Sequence, residues 1–429
     1  MQTYIFTIVR EFIMFFVLVT LVKNYFFLVA SPFYPVREKL RYIKQALRYR
    51  REGLVPYKPR VSVIIPAWNE GVGILKTVES VADNGYDNLE VLVVNDGSTD
   101  NTDELMKQHI RKFNREKRYQ GVTLGYACMP KNGGKGKALN MGITKAKGEI
   151  IMTVDADSAL RKGSIRRLVT YYMDGDIMAV VGNVEVVNTK TLVGLAQHLE
   201  YFFGFYNKRV HALLGAEYIF GGACASFRKE VFGQIGLFDT QNKTEDIEMS
   251  MRTKFYGMKS TYAEDVICYT EGASDVRSLI SQRVRWKKGR LDTFKKYRSL
   301  FFSTEDQHNV FLSFFVLPFS MLTELTLVFE PVAVAIMVVL AFVSSEYLPL
   351  ALGICYIFLA FLAVPTFHTR PRFHYLLYFP FWPLFYFLDW VEFVALYKCV
   401  KMINRGQEVE WQRWVRKGIA TNLTEKEVA

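Results

Sequence analysis

The stretch Ile150-Ile151-Met152-Thr153-Val154-Asp155-Ala156-Asp157 is an apolar run that ends in two carboxylates one residue apart. A short apolar run of this kind fits a strand buried on both faces. In open α/β sheets ligands bind at the carboxyl ends of the strands, so Asp155 and Asp157 are delivered to a binding edge. A D-x-D pair there can hold a divalent metal. The same residues would also serve to turn the chain and cap a helix expected over residues 164–173. The neighbouring segments decide between these readings.

Residues 61–66, 89–95 and 122–127 are further short apolar runs, and helical spacing separates most of them. Ile74, Leu75, Val78 and Val81 share one helix face, as Leu105, Ile110 and Phe113 do less regularly. That alternation predicts βαβ units and a mainly parallel sheet with covered faces. Ligand-binding groups are then expected just past the strands. Asn69 and Glu70 follow the first, and Asp96 opens the turn sequence Asp96-Gly97-Ser98-Thr99-Asp100 after the second. Lys131-Asn132-Gly133-Gly134-Lys135-Gly136-Lys137 reads as a phosphate cradle, with glycines for backbone approach and lysines for charge, or as a flexible basic loop. It is not a Walker loop, because Ala138 follows Lys137, and no G-x-G-x-x-G follows a strand.

Farther along, residues 221–226 form a small-residue run (Gly221, Gly222, Ala223, Cys224, Ala225, Ser226) where something can pack against the backbone. Thr244-Glu245-Asp246 opens the helical pattern Ile247, Met251, Phe255. Thr244 suits an N-cap and the acids suit the helix dipole, while Asp246 also suits a general base acting on a hydroxyl. Gln282, Arg285 and Trp286 stand at i, i+3 and i+4 in a helical stretch over residues 274–297, so an amide, a guanidinium and an indole share one face. That set fits a diphosphate and a sugar ring. The alternative is an Arg-rich helix at a membrane surface with Trp as its anchor.

The 429 residues are half hydrophobic and carry a net charge of +12. Charged residues crowd the region 36–300 and thin out over 310–400, which predicts a soluble domain joined to a membrane region. Residues 12–30 are long and apolar enough for one span. Residues 36–60 carry nine Lys or Arg against two Glu, which places that flank and the domain after it in the cytoplasm. Four further apolar segments, 310–329, 331–343, 347–364 and 375–397, make five expected crossings in all, with Glu324, Glu330 and Glu346 interrupting them. Trp411 and Trp414 in the tail are expected at the interface. Five scattered cysteines without C-x-x-C spacing argue against a disulfide framework or zinc site. No nucleic-acid motif accompanies the positive charge.

Taken together these motifs resemble the processive, membrane-bound family-2 glycosyltransferases, the group containing cellulose, chitin, hyaluronan and poly-β-1,6-N-acetylglucosamine synthases. The likeness covers about residues 61–300. It implies a cytoplasmic GT-A domain, Rossmann-like with a mainly parallel sheet, flanked by transmembrane helices. It implies that Asn69, Glu70, Asp96, Lys135, Lys137, Asp155, Gln282 and Arg285 bind a UDP-sugar donor, and that Asp157 coordinates Mg2+ or Mn2+. Asp246 matches the catalytic base. Gly222, Ala223, Cys224, Glu245 and Trp286 match the acceptor side, where a growing glycan would lie.

T-E-D-I with Q-R-V-R-W looks closest to the poly-β-1,6-N-acetylglucosamine synthases, which makes UDP-N-acetylglucosamine the first choice of donor. The expected division is 1–35 N-terminal membrane helix, 36–60 basic linker, 61–303 catalytic domain with interfacial helices, 304–400 C-terminal membrane region and 401–429 cytoplasmic tail. The expected setting is the plasma (inner) membrane, with export of the product through the membrane region and an accessory subunit as a possible partner. Two rival readings are a non-processive transferase acting on a lipid carrier and a non-catalytic export subunit.

Overall fold

In the computed structural model, residues 2–55, 57–327, 330–343, 347–367 and 372–407 are described. Eight strands form one sheet in the order β3-β2-β1-β4-β7-β6-β8-β5. β1 (Val61–Ala67), β2 (Leu89–Asn95), β3 (Val122–Cys128) and β4 (Ile150–Thr153) are parallel, with Val61 facing Leu89 on one side and Ile150 on the other. This half is the βαβ architecture that the apolar runs predict. The other half is mixed: β7 (Ala225–Arg228) runs antiparallel to β4 and to β6 (Ile177–Val186), which pairs parallel with β8 (Lys259–Thr270). The short β5 (Ser158–Leu160) closes the edge against β8.

Side chains alternate across the buried strands, so each face of the sheet has its own core. Val61, Val63 and Ile65 pack with Ile74 and Val78 of α3 (Ile74–Ala82), Met106 of α4 (Thr102–Glu116) and Ile165 of α6 (Ser164–Tyr171). Ile64 and Ile151 point the other way. They meet Leu139 and Ile143 of α5 (Lys135–Lys145), Phe232 of α8 (Lys229–Ile235) and Met249 of α9 (Glu245–Phe255). The loops after β1, β2 and β4 therefore spring from strands buried in the core, while the edge strand β3 is only partly covered.

Around this layer lie the helices of the apolar flanks. α1 (Gln2–Ala30) leads into α2 (Phe33–Arg51), so most of the basic segment expected as a linker is helical. α2 docks on the domain through buried Tyr34, through Arg37 donating to the Leu213 carbonyl at 2.8 Å, and through Arg41 donating to that of Tyr171 at 3.2 Å. α7 (Leu192–Leu213) packs on β6 and β8 and, on its other side, on α13 (Leu348–Thr366) and α14 (Leu384–Asn404), while α10 (Val276–Lys296) packs on α9 and α14 and pairs with α11 (Leu317–Thr326); α12 (Glu330–Val343) lies against α13.

Among the described residues two helical runs are long and apolar enough to cross a membrane: Arg10–Arg51, whose apolar half is the N-terminal one, and Leu348–Thr366. A third arises if His374–Phe381 and Leu384–Asn404, bent by 59°, count as one span. Five crossings are expected from the sequence; these two or three are the runs that meet the test of length and composition among the described residues. α12 has 14 residues, about 21 Å of helix against a hydrocarbon core of about 30 Å. α11 is tied by Glu324 to Lys287 and Arg290 on α10. Glu346, Trp411 and Trp414 lie outside the described residues, as does the side chain of Glu330.

Candidate active site

β4 ends at Thr153, and Asp155 and Asp157 sit in the short link before β5. The following helix α6 starts on Gly163 with no side-chain cap, so the two acids do not serve as its cap. Asp157 is buried, and Asp155 is partly open. At the start of α5, the Lys135 ammonium lies 2.5 Å from Asp155 and 3.6 Å from Glu245. Burial alone would pull this lysine below its ordinary pKa, but Asp155, Glu245 and Asp246 outweigh burial and hold it above.

The small-residue run comes to the same place. The Thr153 hydroxyl donates to the Gly222 carbonyl at 3.1 Å, and the Gly222 amide donates to Asp246 at 3.0 Å. A Cβ at Gly222 would stand 2.8 Å from the Lys135 ammonium and 3.2 Å from the Asp246 carboxylate, so a side chain there would press on both. Ala223 and Cys224 turn into the core instead, and of the three expected acceptor-side positions on this run only Gly222 meets the acids.

Glu245 and Asp246 open α9, where the helix dipole favours negative charge. Burial pushes the Glu245 carboxyl above its usual range; Lys135 and Arg285 pull it back, and Asp246 adds to the rise. Thr244 does not cap this helix with its side chain. Its hydroxyl donates to Asn242 at 3.1 Å. Beside these acids is a small pocket lined by the polar residues Thr153, Gly222, Glu245 and Asp246 and by apolar residues that include Leu139 and Phe220. A second pocket lies under α7, away from these carboxylates. Its charges are matched within the fold, Arg209 with Glu264 at 2.7 Å and Arg372 with Glu185 at 2.8 Å.

α10 crosses the start of α9 at close range: a Cβ on Gly289 would come within 2.0 Å of the Thr244 hydroxyl, so only glycine allows this approach. Gln282, Arg285 and Trp286 are half-buried on α10, and the Arg285 charge is felt at Glu245. Arg283 points elsewhere, paired with Glu200 and Glu392, and its guanidinium lies 4.5 Å from the centre of the Trp286 ring.

The loops after β1 and β2 make the far side. Asp96 is buried and accepts from the amides of Gly133 at 2.7 Å and Gly134 at 2.8 Å, and from Asn132 at 3.1 Å. Burial raises its pKa, and these hydrogen bonds with Lys137 oppose the rise. In this structure Asp96 therefore fastens the glycine loop that aims Lys135. Asn69, held at a left-handed φ of 57°, accepts from the Thr99 amide at 2.7 Å, and the Glu70 amide donates to Thr102 at 3.0 Å. Lys137 is exposed. Tyr201 of α7, absent from the sequence reading, has a hydroxyl that burial pushes up to about 12, with Arg283 opposing the rise and Glu200 adding to it. An aromatic residue within a helix carries no local signal for such a place.

No three His, Cys, Asp or Glu side chains gather as a metal cage among the described residues. Asp155, Glu245 and Asp246 are hard oxygen donors, and their charge exceeds that of the nearby bases Lys135 and Arg285. Mg2+ in nucleotide sites is commonly held by one or two carboxylates, with phosphate oxygens completing the shell.

The mixed sheet with its acidic link after β4 is the GT-A glycosyltransferase architecture. The family model described as Glycosyl transferase family group 2 matches residues 150–387, and the one described as Glycosyl transferase family 2 matches residues 62–236. The chain belongs to glycosyltransferase family 2.

Among curated relatives, poly-beta-1,6-N-acetyl-D-glucosamine synthase of Staphylococcus epidermidis is 30% identical over 237 residues, 53% of this chain and 54% of the relative. The protein of the same name from Staphylococcus aureus (strain COL) is 29% identical over 272 residues, 62% of each chain. The chain thus spans about half to three fifths of the length of the curated relatives it matches. A solved mannosyltransferase from Pyrobaculum calidifontis, in complex with GDP-Man and Mn2+, superposes with a TM-score of 0.52 at 20% identity, covering 90% of this chain and 99% of its own. That likeness establishes the shared fold.

Proposed function

We propose that the protein is an inverting, processive glycosyltransferase that builds a β-linked glycan from a UDP-sugar, with UDP-N-acetylglucosamine the first choice. The observation that carries this reading is the convergence of Asp155, Lys135, Glu245, Gly222 and Asp246 in one cluster, with α10 crossing the start of α9 beside it. The names of the Staphylococcus relatives support the choice of sugar.

An inverting transfer needs a deprotonated acceptor hydroxyl on one face of the anomeric carbon and a stabilised leaving group on the other. Asp246 takes the acceptor's proton; its carboxylate is held by the Gly222 amide and by its own helix end. Lys135 and Arg285 face the leaving diphosphate, and Gln282 contributes an amide to it. Asp96, Asn69 and Glu70 form the nucleotide side, with Lys137 at its exposed rim. Asp157, with Asp155 beside it, would hold a divalent cation, Mg2+ or Mn2+, which would supply positive charge to the leaving diphosphate. Trp286 supplies a flat apolar face for the acceptor sugar, with Glu245, Gly222 and the backbone of Ala223 and Cys224 behind it. Holding donor and acceptor together adds the orientation advantage common to two-substrate sites.

In this reading residues 61–303 are the catalytic domain on the cytoplasmic face of the plasma membrane, and the flanking helices anchor it and pass the polymer outward. The basic charges on α2 support that orientation. The test is synthesis by the purified full chain in lipid vesicles, with Mg2+ or Mn2+ and labelled UDP-N-acetylglucosamine or UDP-glucose offered separately. Long product from the amino sugar, cut by a β-1,6-specific hydrolase, is the expected result. Single-sugar product on a lipid, or no product from either donor, overturns it.

A further inference from the structure

α10 has two working faces. One carries Gln282, Arg285 and Trp286. The other carries Arg283, Lys287 and Arg290, spaced i, i+4 and i+7 and therefore on one line along the helix. Each of these bases meets an acid from another helix. Arg283 lies 2.5 Å from Glu200 of α7 and 3.2 Å from Glu392 of α14. Lys287 lies 2.7 Å from both Glu392 and Glu324 of α11, and Arg290 pairs with Glu324. The Lys287 and Arg283 side chains are 3% and 7% exposed. Three acids from three helices thus match three bases from one.

An apolar seam runs beside this line. Leu279, Ile280 and Val284 of α10 pack with Leu388, Val391 and Ala395 of α14. Aliphatic packing of that kind holds two helices together but leaves rotation and axial register loosely set. Buried ion pairs add little net stability over well-packed apolar groups, because desolvation offsets the attraction; a role in specifying one arrangement is their better-supported use. Here the arrangement matters, since the Arg283 guanidinium lies over the Trp286 ring and so joins the clamp to the face that looks on the site.

We propose that Glu200, Glu324 and Glu392 are positioning residues: they set the rotation and register of α10, so that the arrangement of α11 and α14 governs the alignment of Gln282, Arg285 and Trp286 over the transfer site. The inference rests on the glycosyltransferase reading for its catalytic consequence, while the clamp itself is testable apart from it.

The experiment compares Glu392→Gln, Glu392→Asp and Glu324→Gln with the unaltered full chain in lipid vesicles. The two Gln variants are expected to lower kcat about tenfold or more and to shorten the product while donor KM stays within about twofold, the pattern of an interaction that counts only in the transition state. Glu392→Asp, which keeps the charge, is expected to recover most of the rate. A second measurement, amide hydrogen exchange followed by mass spectrometry, is expected to show faster exchange in α10 of Glu392→Gln with β1 and β2 still protected.

Unchanged kcat and product length overturn the proposal. So does faster exchange throughout the sheet, which marks a general loss of structure. Absence of transfer by the unaltered chain counts against the functional reading alone. In that case the exchange measurement still decides the clamp, and unchanged exchange in α10 overturns it.

Discussion

The acids around Lys135 and those around Lys287 are both gathered in the interior, but only the second set is matched one for one. At the junction of α7, α10, α11 and α14, Glu200, Glu324 and Glu392 face Arg283, Lys287 and Arg290. At the end of β4, Asp155, Glu245 and Asp246 share Lys135, with Arg285 beyond. A matched set is complete within the chain and its work is structural. An acid excess in a partly buried place is costly unless something cationic or hydrogen-bonding joins it, which is the condition of a site awaiting its ligands. The same residue types thus serve two purposes, and the balance of charge tells them apart.

The strongest way to break this comparison is at the unmatched set. Asp246→Asn keeps the shape and the Gly222 contact but cannot take a proton. Its transfer rate is expected to fall by about 10²–10⁴-fold, the usual worth of a general base, with UDP binding by equilibrium dialysis unchanged. A variant that still elongates at the normal rate would remove Asp246 from the reaction. The matching prediction for a satisfied acid concerns Glu248, which is fully buried, accepts from Lys296 and from the Tyr297 hydroxyl at 2.6 Å each, and pairs with Arg252. Glu248→Gln leaves the buried Arg252 without its carboxylate, and a loss of about 3–5 kcal/mol is expected from chemical denaturation followed by Trp fluorescence. A loss below about 1 kcal/mol would show that burial does not raise the stakes of such pairs.

A smaller effect tests how closely the two helices of the site must meet. Gly289→Ala drives a methyl group into Thr244, and overpacking of this kind costs about 1–3 kcal/mol. The thermal midpoint should fall, transfer should weaken with it, and Thr244→Ala in the same chain should recover part of both. Full activity in Gly289→Ala would mean that α10 has room to move away from α9 without consequence.

How much of this was legible in the sequence follows from the range of each interaction. β1 to β4 are apolar runs with local turn signals, and their ends are where Asn69, Asp96 and Asp155 were expected and found. β8 was not legible. Lys259, Glu264 and Asp265 lie within it, and Glu264 is made tolerable by Arg209, far off in sequence. The clamp is hidden for the same reason, since nothing near Arg283 announces Glu392. Residue type suggested Lys135 for the site but could not show which acids it meets, Asp155 and Glu245. In the small-residue run, chemistry alone could not separate Gly222, which faces the acids, from Ala223 and Cys224, which face the core.

The least effect is expected where the same pairing occurs in water. Arg48 and Glu52 on α2 approach to 3.2 Å at i, i+4, but their side chains remain 59% and 37% exposed. In high dielectric the attraction is weak, and part of it is offset by the entropy of holding two long side chains in one geometry. Arg48→Gln is therefore expected to cost no more than about 0.3–0.5 kcal/mol, and the difference should vanish in about 1 M salt, where charges are screened within about 3 Å. The distance here is no worse than the Arg283–Glu392 distance of 3.2 Å, so geometry is held nearly constant while burial changes. If Arg48→Gln proved as costly as Glu248→Gln, distance would outrank burial, and the contrast between the matched and unmatched acids would lose its physical basis.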